Sequence, residues 1–266
     1  APQLFDDVPH NIPFDWALGD KEATDAAIAG ADHVTTLEFD NQRLITNAIE
    51  PRCAIGDYDS ARDHYTLYTS SQNPHVIRLL LSAFVLNLPE QKVRVVSPDV
   101  GGGFGSKIAG SIQNRIPALL SKKAGKPVMM RIARQEEHNI GRARPGLQGR
   151  VKIGYRRDGR ITALDMFFVQ DNGPYGRSTD YMNAADQSSL MYQPLSHRLR
   201  GLTVFTNTPP RSAQRAPGGL QAVNIFAPLM QKAANQLELD PLDIIRINAP
   251  AGQAKLGRPQ DGVQGN

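Results

Sequence analysis

Three short segments of this 266-residue chain bring together residue types that bind ligands. The first is Gly101-Gly-Gly-Phe-Gly-Ser-Lys107, which follows the run Lys92–Ser97 (KVRVVS) through Pro98-Asp-Val100. Consecutive glycines let a backbone approach a ligand closely and turn its N–H groups toward it, and a following helix start favours anionic groups. The spacing fits neither a P-loop nor a dinucleotide fingerprint. By itself it supports the binding of something anionic, with a tight turn into a helix as the plain alternative. The second segment is Ser70-Ser-Gln-Asn73. A Gln there lies beside the glycine loop if the two preceding strands are neighbours, while Ser and Asn equally suit a helix cap. The third is Arg211-Ser-Ala-Gln-Arg-Ala-Pro-Gly-Gly-Leu-Gln221, where two arginines ahead of a helix start suit a phosphate or carboxylate, and suit a solvated loop as well.

The elements that must position these loops are legible in outline. Residues 1–18 carry three prolines and no helical period, and read as an extended lead-in. Asp20 to Ala29 suits a short helix with an acidic first turn, ended by Gly30. His33–Phe39 and Tyr65–Ser70 read as strands, and Val76–Leu88 as a helix with Ile77, Leu80, Leu81, Phe84 and Leu88 on one side. Lys92–Ser97 is a strand before the glycine loop, and Ile108–Ala124 has helical character that Pro117 must start, kink or interrupt. Val128–Ile132 is a further strand. Arg150–Tyr155 and Arg160–Val169 alternate well around Arg156-Arg-Asp-Gly159, a hairpin signature. Leu199–Asn207 reads as a strand, Leu220–Leu237 as a helix carrying Pro228, and Asp240-Pro241 as the capped start of a shorter helix. Residues 249–266 read as an irregular tail. Interleaved strands and helices with an antiparallel hairpin predict an α+β fold with mixed sheets and packed helices.

Composition narrows the function. Hydrophobic residues make up 40% and charged residues 21%, ordinary globular usage. The longest apolar run, near Ile77–Leu88, is broken by Arg78, Ser82 and Asn87, well short of the ~20 residues a membrane helix needs. The single Cys53 excludes an internal disulfide, a Cys-based zinc finger and a self-contained iron–sulfur cluster, and reads as a small buried residue. The net charge of +4 is dispersed and aromatics are few, which argues against a nucleic-acid surface. The chain begins without Met or a signal-like core, as expected of a processed chain, a split subunit or an excised domain.

In order and spacing, Thr69-Ser-Ser-Gln-Asn, Val95–Lys107 (VVSPDVGGGFGSK) and Ala213-Gln-Arg-Ala-Pro-Gly-Gly resemble the molybdenum-binding subunit of the xanthine dehydrogenase/aldehyde oxidoreductase family, which includes aerobic carbon monoxide dehydrogenases. Glu50-Pro-Arg, Arg134–Pro145 and Asp240-Pro-Leu-Asp look familial too. The resemblance runs from about Ile12 to Asn248 and implies one molybdopterin-binding domain over residues 19–248, the first half of the cofactor region. It implies no side-chain ligand to the metal, so the protein positions, hydrogen-bonds and excludes water. Gln72 matches the Gln whose amide reaches the apical oxo ligand. Gly102, Gly103, Phe104 and Gly105 match the loop beside the metal and pterin, and Ala213, Arg215 and Ala216 match a second loop opposite. Arg142 and Arg144 stand where relatives often have Arg-His, a phosphate contact or a surface ion pair.

The activity implied is hydroxylation with water as oxygen source, a Glu acting as base, and hydride passing to a sulfido ligand. The base of the family lies in a Gly-x-Gly-Glu setting that this sequence lacks, so the chain is expected to be inactive in isolation. The Glu136–Glu137 pair reads as a solvated cluster. The implied cofactor is molybdopterin, in the cytosine dinucleotide form, with 2Fe-2S clusters and FAD on partner chains. Departures narrow the substrate. Ile108 replaces the Glu of purine oxidisers, no Arg occurs between Asp180 and Ser196, and Ala216 replaces the copper-binding Cys of carbon monoxide dehydrogenases. An aldehyde or N-heteroaromatic substrate fits best, in a bacterial-type cytoplasmic enzyme with a periplasmic location as the other option. A hydratase or dehydrogenase variant on the same cofactor, and a non-catalytic assembly subunit, are the competing readings.

Overall fold

A computed structural model describes residues 2–108, 112–140, 143–175, 180–250, 254–255 and 264–265. The chain forms two compact units built from interleaved stretches. One comprises Ala1–Leu44, Arg144–Arg211 and Ala216–Asn266, the other Ile45–Ala143 and Ser212–Arg215.

The first unit is built on a five-stranded sheet in the order Phe14–Gly19, Ser196–Phe205, Ile161–Gly173, Leu147–Tyr155, His33–Asn41. All neighbours are antiparallel except Ile161–Gly173 with Ser196–Phe205. A parallel pair needs a crossover, and the helix Asp180–Met191 lies in that connection. The hairpin foreseen around Gly159 is present. Gly159 has φ +85°, and Arg156 N–H donates to Arg160 O at 2.9 Å. The helix Gly219–Leu237 carries Pro228 within it and buries Ile225, Phe226, Leu229, Met230 and Ala233 against the sheet's Val151, Ile153, Met166 and Phe168. The helix Pro241–Asn248 starts as predicted, with Asp240 Oδ1 accepting from Leu242 N–H at 2.7 Å. Residues 14–18 of the lead-in pair in the sheet, and most of 249–266 lies outside the described residues.

The second unit holds a four-stranded sheet in the order Val93–Val96, His64–Thr69, Cys53–Asp59, Val128–Arg131. The first pair is parallel and the others antiparallel, which places the end of His64–Thr69 beside the strand that feeds the glycine loop. The helix Ile112–Ala124 covers one face. It does so with Gln113, Asn114, Pro117, Ala118 and Ser121, leaving Ile112, Ile116, Leu119 and Leu120 outward. Asn114 Nδ2 donates to Thr69 Oγ1 at 2.7 Å, which satisfies the inward polar face.

Several elements depart from the sequence reading. The strand Cys53–Asp59 and the helices Arg134–Ile140 and Asp180–Met191 were not foreseen. The helix expected over Val76–Leu88 is an α-helix only over Pro74–Leu80. It widens into a π turn at Leu81–Leu86 and stops at Asn87, φ +51°. The expected start of the next helix at Ile108 falls partly outside the described residues, and the helix begins at Ile112.

Candidate functional site

The candidate site lies in the second unit, where two strand ends run side by side. After His64–Thr69 the chain turns through Ser70 and Ser71, and Ser97 Oγ donates to Ser71 O at 2.7 Å. Gln72 follows. Its backbone N–H donates to Lys107 O at 3.1 Å, and its side-chain Oε1 accepts from Gly105 N–H at 2.9 Å and Lys107 N–H at 3.3 Å. With Oε1 occupied, the exposed Gln72 amide presents Nε2, a donor, which has no protein acceptor among the described residues.

The glycine loop is wound around this contact. Gly102 and Gly105 have φ +100°, and Phe104 has φ +51° while its ring is 49% exposed. A Phe in left-handed backbone with an exposed ring is costly unless its surroundings fix it. A Cβ on Gly103 would stand 2.3 Å from Gln72 Oε1, and one on Gly105 would stand 2.6 Å from Ala213 O. The second loop closes on the first, with Arg215 N–H donating to Phe104 O at 2.8 Å. Thus Gln72, Gly102, Gly103, Phe104, Gly105, Ala213 and Arg215 gather in one unit. The N–H groups of Gly102, Gly103 and Phe104 carry no hydrogen bond to described residues. Ala216, the last of the residues foreseen, belongs to the other unit, with φ +53° and its carbonyl accepting from the buried Arg144 Nη1 at 3.5 Å.

The charges differ from the sequence reading. Lys107 is not open to a ligand: it is buried, and its Nζ is spent on Glu50, donating to Glu50 O at 2.8 Å and to the Glu50 carboxylate at 2.9 Å. Glu136 is exposed, but Glu137 is buried in an ion pair with Arg52, so the pair is not a solvated cluster. The reason is a partner 85 residues earlier in sequence, which no local pattern announces. Arg211 is paired with Asp180, whose carboxyl is pushed up by burial against the opposing pull of that guanidinium. Arg144 donates to Gln221 Oε1 at 3.0 Å, its guanidinium held below its ordinary range by burial. Arg142 lies outside the described residues. Cys53 is half-buried rather than buried, at the start of the strand Cys53–Asp59 and paired with Arg131. Among the described residues no group of three His, Cys, Asp or Glu side chains is placed to hold a metal, and no helix is long and apolar enough to cross a membrane.

Glu50-Pro51-Arg52 carries no local sequence signal of a role. The structure places both charged residues against the glycine loop.

A family model described as the molybdopterin cofactor-binding domain matches residues 4–249. The chain is 29% identical over 251 residues to the carbon monoxide dehydrogenase large chain of Afipia carboxidovorans, covering 88% of this chain and 30% of that one. It is 32% identical over 238 residues to the nicotinate dehydrogenase large molybdopterin subunit of Eubacterium barkeri, covering 89% and 55%. Among solved structures it is similar to quinoline 2-oxidoreductase from Pseudomonas putida 86, with a TM-score of 0.84 and 25% identity over 96% of this chain and 33% of that one. The chain therefore spans between 30% and 55% of the length of these relatives.

Proposed function

The chain belongs to the family of molybdopterin cofactor-binding domains, and from that premise we propose that it forms part of the cofactor-binding subunit of a molybdenum hydroxylase acting on an aldehyde or N-heteroaromatic substrate. The observation that carries this is the locked Gln72. Its oxygen is consumed by Gly105 and Lys107 N–H, so it offers only a donor at the rim of a loop whose next N–H groups, Gly102 to Phe104, carry no hydrogen bond to described residues.

The residues present fit a bulky, oxygen-rich cofactor. At Gly103 and Gly105 a side chain would strike Gln72 or Ala213, so the loop keeps a bare backbone surface. Gln72 Nε2 and the loop N–H groups are donors suited to oxygen ligands and to the pterin's heteroatoms. When bound, the molybdenum cofactor supplies the two-electron redox centre and the oxygen transferred to substrate. The chain's own part is to orient that group, to hold one donor toward its oxygen, and to keep water from its flank with Phe104.

The finer assignments follow the same reading. The cofactor is the cytosine dinucleotide form, and electrons leave through 2Fe-2S and FAD groups on partner chains, since Cys53 alone cannot hold a cluster. Ile108, the absence of Arg between Asp180 and Ser196, and the methyl of Ala216 disfavour purines and a copper ligand. The compartment proposed is the cytoplasm, with the periplasm as the other option.

The test is metal analysis of the purified complex with substrate oxidation. About one molybdenum and no stoichiometric copper per copy are expected. Gln72→Ala should lower oxidation by about 10–100-fold while most of the molybdenum stays. A molybdenum-free complex overturns the reading, and wild-type activity in Gln72→Ala overturns the role of Gln72.

A further inference from the structure

The strained loop poses a mechanical question: what keeps Gly102, Phe104 and Gly105 in left-handed backbone at once? A clamp made by the consecutive residues Glu50-Pro51-Arg52 does so. At the loop's entry, Glu50 Oε2 accepts from Gly101 N–H at 2.9 Å, and Glu50 N–H donates to Gly101 O at 3.1 Å. At its exit, Lys107 Nζ reaches the same carboxylate oxygen and the Glu50 carbonyl, and Arg52 Nη2 donates to Ser106 O at 2.9 Å. The other arm of Arg52 is paired with Glu137 of the helix Arg134–Ile140, whose Oε1 also takes Arg52 N–H at 2.6 Å.

We propose that Glu50 and the Arg52–Glu137 ion pair are positioning residues that hold both ends of the Gly101–Lys107 loop, and so set the shape in which it receives the cofactor. Two observations favour positioning over bulk stability. Both side chains of the Arg52–Glu137 pair are 6% exposed, and such pairs often stabilise no better than apolar residues of similar volume. Arg52 Nη2 and Glu50 Oε2 also form hydrogen bonds with backbone atoms of the loop, at Ser106 O and Gly101 N–H, rather than packing into the unit's apolar core. This inference rests on the reading of the loop as a cofactor site.

Three variants of the purified complex test it. Glu50→Gln keeps an acceptor for Gly101 but removes the charge facing Lys107. Arg52→Lys keeps a charge for Glu137 but loses the arm to Ser106. The double variant Arg52→Met/Glu137→Met removes both charges together, so no carboxylate is left buried and unpaired. The readouts are molybdenum per chain, amide hydrogen exchange resolved over residues 101–107, and the melting temperature. Exchange should quicken over the loop and molybdenum content should fall about tenfold or more, with exchange elsewhere near wild type and melting near wild type in the double variant, which leaves no buried charge unpaired. Unchanged loop exchange overturns the clamp, and so does faster loop exchange with full molybdenum. Uniformly faster exchange with a lower melting temperature in all three variants would make these residues structural supports only, which also overturns it. If the wild-type complex holds no molybdenum, the cofactor reading fails instead, and the loop exchange still decides whether the clamp exists.

Discussion

Gly103 and Gly105 sit two residues apart and are glycines for different reasons. Gly103 does not have a positive φ; what excludes a side chain there is Gln72, whose Oε1 and Cδ would lie 2.3 and 2.6 Å from a Cβ. Gly105 has φ +100° and would meet the Ala213 carbonyl, which is backbone and cannot swing away. The two alanine variants should therefore separate. Gly103→Ala displaces an exposed, flexible Gln side chain, so the fold survives and the loss appears in substrate oxidation, by about 10–100-fold. Gly105→Ala combines a left-handed alanine with a backbone collision and should lower unfolding stability by about 1–3 kcal/mol or more. Activity assays beside thermal unfolding check the pair. Equal melting temperatures for the two variants would contradict the distinction.

Elements of the second unit show how a close approach substitutes for an ordinary apolar interface. The helix Ile112–Ala124 turns Gln113, Asn114 and Ser121 inward, and it reaches the sheet at Gly56, where a Cβ would lie 2.4–2.5 Å from backbone atoms of Pro117 and Ala118. Gly56→Val should push the helix off the sheet and cost about 1–3 kcal/mol or more, read as a lower midpoint in chemical unfolding of that unit. An unchanged midpoint would mean the helix shifts freely. This contact explains part of what sequence reading missed. Cys53–Asp59 carries a glycine and two aspartates, which read as loop residues, yet Gly56 is what lets the helix sit on that strand. The helices Arg134–Ile140 and Asp180–Met191 are rich in Gln, Glu, Asn and Ser, which masks their inward faces: Glu137 is held by an ion pair, and Asp180–Met191 turns Tyr181, Ala184, Ala185 and Ser188 inward. Signals local to the backbone were legible. Asp20, Asn73 and Asp240 cap the helices they precede, and the Gly159 hairpin stands as foreseen. The glycine loop and Gln72 were legible as a site because glycine and amide chemistry is written in residue type. Glu50, Arg52 and Glu137 were not, because only folding brings residue 50 to 107 and residue 52 to 137.

At the scale of the whole chain, the polypeptide passes between two units without any linker composition to mark the passages, and each unit has its own core. The first unit carries its own acid-sensitive group. His197 on the strand Ser196–Phe205 is desolvated, its Nε2 is buried with no partner among the described residues, and burial brings its pKa down to about 4 from an ordinary 6.5. The unfolded chain therefore binds a proton on this ring between pH 6.5 and about 4 that the native ring refuses. Native stability is complete above pH 6.5 and declines as the pH falls toward 4, by up to about 3 kcal/mol. Asp180 works in the other direction: burial raises its carboxyl above 3.8, so the native state gains relative stability as that group protonates. A comparison with His197→Gln isolates the histidine, since the Asp180 contribution is common to both. Trp16, the one tryptophan, lies on the neighbouring strand opposite Gly201 with its ring centroid 6.1 Å from that of Tyr181, so its fluorescence follows this unit. Urea unfolding followed by Trp16 at pH 7.5, 5.5 and 4.5 should show the wild type losing stability more steeply than His197→Gln over that range. Parallel declines in the two proteins would show that His197 takes up its proton in the native state as readily as in the unfolded one, and that its burial does not govern the acid limit of this unit.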